Sequence, residues 1–202
     1  SVELTPADDR WDVEVTVYES TAGMDRLSVT SDSLFILDAD SGEQTLSVLE
    51  VISLVNQGDR VFIPNLVQGG TMTFLRFPLP PGAIALEVES ELPQGEVLQV
   101  DWGFAITTPV PPGEHGVAFT YTAPYTAGEL DLSRRFGIGA GTFRLLVSDE
   151  VASVATSDLE DLGLSAIGDT TYQIFNAADI KKLMAGCRRL QNDFFGANVG
   201  DF

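Results

Sequence analysis

GGTMTFLRFPLPPG, residues Gly69–Gly82, is the stretch that decides how the rest of the sequence is interpreted. Its first half, Thr71–Phe77, is rich in β-branched and aromatic residues, which favour a strand. Its second half, the PLPPG of residues 78–82, ends that strand, because proline donates no backbone hydrogen bond and glycine accepts turn dihedrals. A similar combination of strand and proline turn returns at Thr107–Thr122, TTPVPPGEHGVAFTYT. Two strands, each next to a tight turn, indicate an all-β protein with short connections.

Alternation of apolar and polar residues predicts about ten strands at the spacing of an immunoglobulin-like or other β-sandwich. The longest apolar run, Gln44–Asn56, predicts a central strand more than a helix because valine and isoleucine dominate it. Tyr125–Ile138 is predicted as a long connection, and the glycines of residues 137–141 as a bend. Other strands are predicted at residues 11–18, Leu27–Thr30, Leu34–Leu37, Arg60–Pro64, Ala83–Glu89, Glu96–Ile106, Gly116–Thr122, Thr142–Ser148, Val151–Ala155 and Thr171–Phe175.

The pattern changes after residue 176, so we predict a β-sandwich over residues 1–176 and a separate tail over residues 177–202. Apolar residues recur at helical spacing in this tail, which predicts one amphipathic helix over Ile180–Leu190. Its other face carries four basic residues, Lys181, Lys182, Arg188 and Arg189. This helix is expected to pack on the acidic β-domain, on a partner protein or on anionic lipid.

The overall charge excludes some classes of partner. The chain has 30 acidic and 11 basic residues, a formal net charge of −19, which disfavours binding to nucleic acid. No run of about 20 apolar residues occurs, so no membrane-spanning helix is predicted. Cys187 is the sole cysteine, which excludes an intrachain disulfide.

Residues that could support catalysis are few. His115 is the only histidine, and it lies in the PPGEHG turn, whereas Cys187 lies on the predicted helix. A Cys–His pair is therefore not expected, and we predict that the protein is not an enzyme. One cysteine and one histidine also make a zinc site improbable. No cofactor is expected, although Asp38, Asp40 and Glu43 form an acidic loop whose oxygen atoms suit calcium.

The order of the conspicuous stretches resembles a group of exported bacterial proteins that carry a carboxypeptidase-regulatory-like domain. The stretches that carry this resemblance are Arg76–Ala83, Phe104–Tyr125 and Leu130–Arg135, within a similarity that covers about Asp12–Asn176. The resemblance implies a β-sandwich in an extracytoplasmic location without catalytic residues. Two features differ from the group: the small domain that usually comes first does not precede Ser1, and the basic helix stands where a membrane anchor often follows.

These observations predict a non-enzymatic module of the bacterial cell envelope that contacts another envelope protein. The expected contact residues are those of the proline turns and the basic helix, namely Pro80, Pro81, Pro111, Pro112, Lys181, Lys182, Arg188 and Arg189. The alternative is a carbohydrate or small-ligand binding module, with or without calcium bound at the acidic loop. Its ligand would stack on Trp102, or on Tyr121 and Tyr125, which are expected on an exposed face.

Overall fold

The computed structural model describes residues 14–66, 72–93, 95–101, 103–126, 129–183 and 185–189. Of residues 129, 134–136, 182, 183 and 185–189 it describes the backbone alone. These residues form strands and turns, with no helix among them. The fifteen strands are β1 (Ser20–Thr21), β2 (Leu27–Asp40), β3 (Thr45–Asn56), β4 (Val61–Phe62), β5 (Leu75–Pro78), β6 (Ile84–Ser90), β7 (Val97–Val100), β8 (Gly103–Ile106), β9 (Gly113–Pro124), β10 (Glu129–Asp131), β11 (Arg134–Ser148), β12 (Ala152–Thr156), β13 (Glu160–Ile167), β14 (Thr170–Leu183) and β15 (Ala185–Arg189).

The large sheet has seven strands in the order β13-β14-β11-β2-β3-β9-β6. Its strands pair antiparallel except β11 and β2, which run parallel. The middle strand β3 alternates buried and exposed residues along its whole length, as expected for a strand with one face on the core. The prediction of a central strand at Gln44–Asn56 is therefore confirmed.

Two three-stranded sheets and a short parallel pair complete the fold. The small sheet has the order β5-β8-β7, the terminal sheet has the order β10-β15-β12, and β1 pairs with β4. Apolar residues of the small sheet, and Leu130 and Ala152 of the terminal sheet, belong to the same buried cluster as the inner face of the large sheet. The described chain is all-β with sandwich-like sheets, as predicted.

Stacked aromatic rings join the small sheet to the large one. Phe77 of β5 and Phe104 of β8 stack with ring centroids 5.0 Å apart, and both contact the ring of Phe119 on β9 at an angle. Phe104 and Phe119 are fully buried. Offset and edge-to-face rings at these distances contribute beyond the area they bury, so this cluster anchors the LRFP stretch to the core.

The predicted amphipathic helix over Ile180–Leu190 is wrong for the residues that the structure describes. Residues 180–183 extend β14, and residues 185–189 form β15 between β10 and β12. Leu190 lies outside the described residues. Helical spacing of a few apolar side chains is a weak signal, and pairing with three neighbouring strands overrides it here. Strand β14 also runs through residue 176, where the boundary of the tail was predicted.

Other differences concern strand limits. The two short strands predicted over residues 27–37 are one continuous strand, β2, with register shifts near Thr30 and Leu37. The single strand predicted over Glu96–Ile106 is the hairpin β7–β8. The predicted connection Tyr125–Ile138 contains β10 and the beginning of β11. The glycines of residues 137–141 lie at a bulge within β11 instead of a bend before it.

Among the described residues, no helix is long and apolar enough to cross a membrane.

Candidate functional site

The two predicted proline turns lie at opposite ends of the sandwich. Pro80 and Pro81 precede Gly82, which packs close to Pro124 at the end of β9, whereas Pro111 and Pro112 precede the first residue of β9. A strand of twelve residues is roughly 36 Å long, so the turns are separated by about that distance. Pro81 is exposed and the other three prolines are half-buried. The structure does not bring the turns together into one contact surface.

The four basic residues of the predicted helix are divided between two sheets. Lys181 and Lys182 lie on β14 in the large sheet, where Lys181 is exposed. Arg188 and Arg189 lie on β15 in the terminal sheet, and their backbone pairs with β12. A single basic helix face therefore does not exist in the described structure.

The predicted calcium loop is the turn between β2 and β3. One carboxylate oxygen of Asp40 accepts hydrogen bonds from the backbone N–H groups of Gly42 and Glu43, at 2.8 and 3.0 Å. Asp38 accepts one from the N–H of Ala39 at 2.7 Å. These bonds close the turn, as aspartate commonly does. No three His, Cys, Asp or Glu side chains of the described residues are grouped as a metal site requires, so calcium binding at Asp38, Asp40 and Glu43 stays a prediction.

The tyrosines predicted for a sugar-binding face are buried. Tyr121 is 2% exposed and Tyr125 is 6% exposed, because both project towards the core side of the large sheet. Tyr121 stacks on Phe119, and the hydroxyl of Tyr125 donates to the carbonyl oxygen of Asp40 at 3.3 Å. The prediction of an exposed face was wrong for both. Trp102 lies outside the described residues.

The histidine and the cysteine occupy different sheets. His115 is half-buried on β9, with Nε2 at 2.9 Å from the carbonyl oxygen of Pro111. Cys187 lies on β15, and its backbone pairs with Leu130 and Val154. Cys187 is thus on a strand and not on the predicted helix.

A cleft of about 210 Å³ opens between the large sheet and β5, and we call it the core cleft. Its floor includes two acidic side chains, Asp32 on β2 and Glu50 on β3, which are 2% and 1% exposed. Asp32 pairs with Ile52 and Glu50 with Leu34, so the two acids are diagonal neighbours on one face. Such neighbours lie roughly 7–8 Å apart. Both side chains also take part in other interactions within the protein.

The walls of the core cleft are mostly apolar. Phe74, Leu75 and Phe77 form one wall, and the bulge of β11 forms another with Gly137 and Gly139. The bulge requires Gly139, whose φ of 74° is unfavourable for other residues. A Cβ atom at Gly137 would meet nothing within 4 Å, whereas a Cβ atom at Gly139 would lie 3.3 Å from the carbonyl oxygen of Ile180 on β14.

Sequence reasoning missed Asp32 and Glu50, although a signal was present. Glu50 lies in phase with Leu46, Val48 and Ile52 in the alternating pattern of β3, and Asp32 is likewise in phase with Leu34. An acid at a core position of such an alternation is unusual, because burial of a charge is costly. Residues 31–33 were instead left between two predicted short strands because all three are polar.

A second unusual feature is β13, the edge strand of the large sheet. All eight of its residues are exposed, including Leu162 at 56% and Leu164 at 64%. Strands β13 and β14 form a hairpin whose turn consists of Gly168 and Asp169. The φ of 62° at Gly168 fits a two-residue hairpin turn. No described strand pairs with its other edge.

Carboxylates surround both ends of this edge strand. Asp158, Glu160 and Asp161 lie at its beginning, and Asp169 lies in the turn after it. Asp149 is close to that turn, because its N–H donates to the carbonyl oxygen of Thr171 at 3.2 Å. The edge therefore combines exposed leucines with a local excess of negative charge.

The sequence matches no family model and no curated protein. Among solved structures, it is similar to a mutant M1 zinc metallopeptidase from Deinococcus radiodurans, with 16% identity and a TM-score of 0.46 over 82% of this chain and 43% of the other. It is also similar to a proposed nutrient-binding protein from Legionella pneumophila, with 14% identity and a TM-score of 0.45 over 84% of this chain and 70% of the other. The chain thus spans less than half the length of the metallopeptidase it matches.

Proposed function

We propose that this protein is a non-enzymatic, extracytoplasmic module that binds an extended segment of another envelope protein along the edge of β13. The observation that carries this proposal is the exposure of every residue of β13, an edge strand with large apolar side chains. The location follows the family resemblance stated above. The proposed contact surface is the edge of β13 and not the proline turns. Those turns were predicted to contact the partner but lie too far apart to act together.

The backbone of β13 supports strand addition. Every second residue of an antiparallel edge strand directs its N–H and C=O groups away from its partner, and these groups can pair with a new strand. In the hairpin that closes on Gly168 and Asp169, Ile167 pairs with Thr170 next to the turn. By this alternation, Leu164 and Ala166 direct their backbone groups outward.

The side chains define the chemistry of the partner. Leu162 and Leu164 offer apolar contact, and the carboxylates at both ends of β13 favour positive charge. We therefore infer an extended partner segment in which apolar residues alternate with lysine or arginine. Natural edge strands are often protected by charges and bulges, and the bulge near Asp161 protects only the first part of β13. Leu164–Ile167 remains regular and available.

The probe for this proposal is an eight-residue peptide of alternating valine and lysine, and a valine–glutamate peptide is its control. Titration followed by amide chemical shifts and hydrogen exchange should show that the lysine peptide binds and protects the amides of Leu164 and Ala166. The glutamate peptide should bind at least tenfold more weakly, because it meets like charges. Equal binding of both peptides, or protection confined to other strands, would contradict strand addition at β13.

Ala166→Pro tests the same contact through the backbone. Proline removes the outward N–H but is tolerated on an edge strand, so binding should fall at least tenfold while the melting temperature changes little. Ala166→Ser keeps the N–H and serves as the matched control. If the proline variant does not fold, Leu162→Ser combined with Leu164→Ser removes the apolar contact instead. Unchanged binding in that double variant would reject the site.

A further inference from the structure

We propose that the core cleft binds a small organic ammonium compound, with its apolar part between β3 and β5 and its charged group next to Asp32 and Glu50. This site is separate from the edge of β13 and does not depend on it. Three properties of the cleft carry the inference: its size, its apolar walls and the two buried carboxyl groups in its lining.

The size fits a small molecule. An engineered apolar cavity of about 150 Å³ in another protein holds benzene. The core cleft has a volume of about 210 Å³, which corresponds to a ligand of roughly six to nine non-hydrogen atoms. Larger metabolites, such as oligosaccharides or nucleotides, exceed this space.

The walls of the core cleft are mostly apolar. Ile52, Leu54 and Phe77 present buried apolar surface, and an aliphatic or aromatic group gains by leaving water to contact them. Gly137 and Gly139 also line the cleft, and Gly139 adopts the positive φ of the β11 bulge. The apolar lining therefore selects the body of the ligand.

The carboxyl groups select its charge. Asp32 and Glu50 lie on the floor, whereas Arg76, a basic residue of the lining, is exposed and stands 4.4 Å from the ring centre of Phe74. A carboxylate has two oxygen atoms with about four acceptor positions, so it can accept from an ammonium group while it keeps other interactions. Hydrogen bonds between an ammonium group and a carboxylate are stronger than neutral ones, particularly away from water.

The experiment compares three probes of equal length: hexylammonium, 1-hexanol and hexanoate. Each is titrated into the full chain and followed by calorimetry and by the methyl resonances of Ile52 and Leu54. We expect hexylammonium to bind at least tenfold more tightly than 1-hexanol and to shift these resonances, whereas hexanoate should not bind. Equal affinity for the amine and the alcohol would show an apolar cavity without charge selection and would overturn the proposal.

Three variants locate the interaction. Asp32→Asn and Glu50→Gln should each weaken hexylammonium binding at least tenfold and change 1-hexanol binding less than twofold. Val29→Phe, at a half-buried lining residue that packs on the core, should weaken binding of both probes at least tenfold by reducing the volume of the cleft. Glu87→Gln, an exposed acid on β6, is the control for general attraction to an acidic protein. If the two acid-removing variants do not fold, unchanged hexylammonium binding in Val29→Phe would still reject the cleft.

Discussion

At the scale of single residues, Gly103 illustrates how a close backbone approach restricts the sequence. Its φ is 136°, and a Cβ atom there would collide with the carbonyl oxygen of Phe77 on the neighbouring strand β5. Gly113 has a similar φ of 115°, but a Cβ atom there would meet nothing within 4 Å. Alanine substitutions at Gly103 and Gly113 therefore separate the energetic cost of a positive φ from the cost of a collision with the neighbouring strand.

We expect Gly113→Ala to lower the free energy of unfolding by about 1–2 kcal/mol, the cost of a positive φ in a residue with a Cβ. Gly103→Ala should lower it by roughly 1–3 kcal/mol more, because β8 must move away from β5. Urea unfolding at equal protein concentration measures both values. Equal losses of unfolding free energy in the two variants would show that β5 and β8 can move apart at Gly103 without an energetic cost.

The acids of the core cleft make a related point about prediction. Sequence patterns locate core positions well where apolar residues fill them, as in β3. They fail at Asp32 because an acid between two serines resembles a loop, although the residue is buried. Only the pairing of β2 with β3 places Asp32 beside Glu50, and no single-strand pattern contains that information.

At the scale of elements, β15 is the clearest difference from expectation. The sequence around Cys187 satisfies helical spacing, but the structure pairs it with Leu130 on one side and Val154 on the other. Secondary chemical shifts of residues 180–183 and 185–189 should have the sign of strands, and backbone contacts should connect Cys187 to Val154. Contacts between residues three apart along this segment would instead support the helix.

Two other elements show why some strands could be predicted and others could not. Gln44–Asn56 has one buried face, and its valine and isoleucine residues predicted β3 within one residue. Strand β13 is exposed on both faces, so its leucines and acids follow no burial pattern, and no strand was predicted there. Alternation of apolar and polar residues indicates a strand because one face of the strand contacts the core. An edge strand without that contact shows no such alternation and is not predicted.

At the scale of the whole molecule, the imbalance of charge is the dominant property. The net charge is −19, and the described ion pairs Arg60–Glu19 and Arg26–Asp25, at 2.9 and 3.7 Å, are both largely exposed. Exposed pairs contribute about 0–1 kcal/mol each. Repulsion among the excess carboxylates should therefore outweigh these attractions and destabilise the compact state.

Salt should accordingly stabilise this protein. The screening length falls from about 30 Å at 0.01 M to about 10 Å at 0.1 M, so repulsion across the molecule is largely removed in that range. A gain of about 1 kcal/mol would raise the melting temperature of a chain of this size by roughly 2–4 °C. We expect a rise of this order between 10 and 200 mM NaCl in a calorimetric scan.

The form of the salt dependence identifies its cause. Screening of repulsion should level off above about 0.2 M NaCl, since the screening length is then already shorter than the spacing of most surface charges. Exclusion of salt from the surface would instead continue to raise the melting temperature at higher concentrations, and more with sulfate than with chloride. A melting temperature that falls between 10 and 200 mM would mean that attractive ion pairs dominate, which contradicts the inference drawn from the net charge.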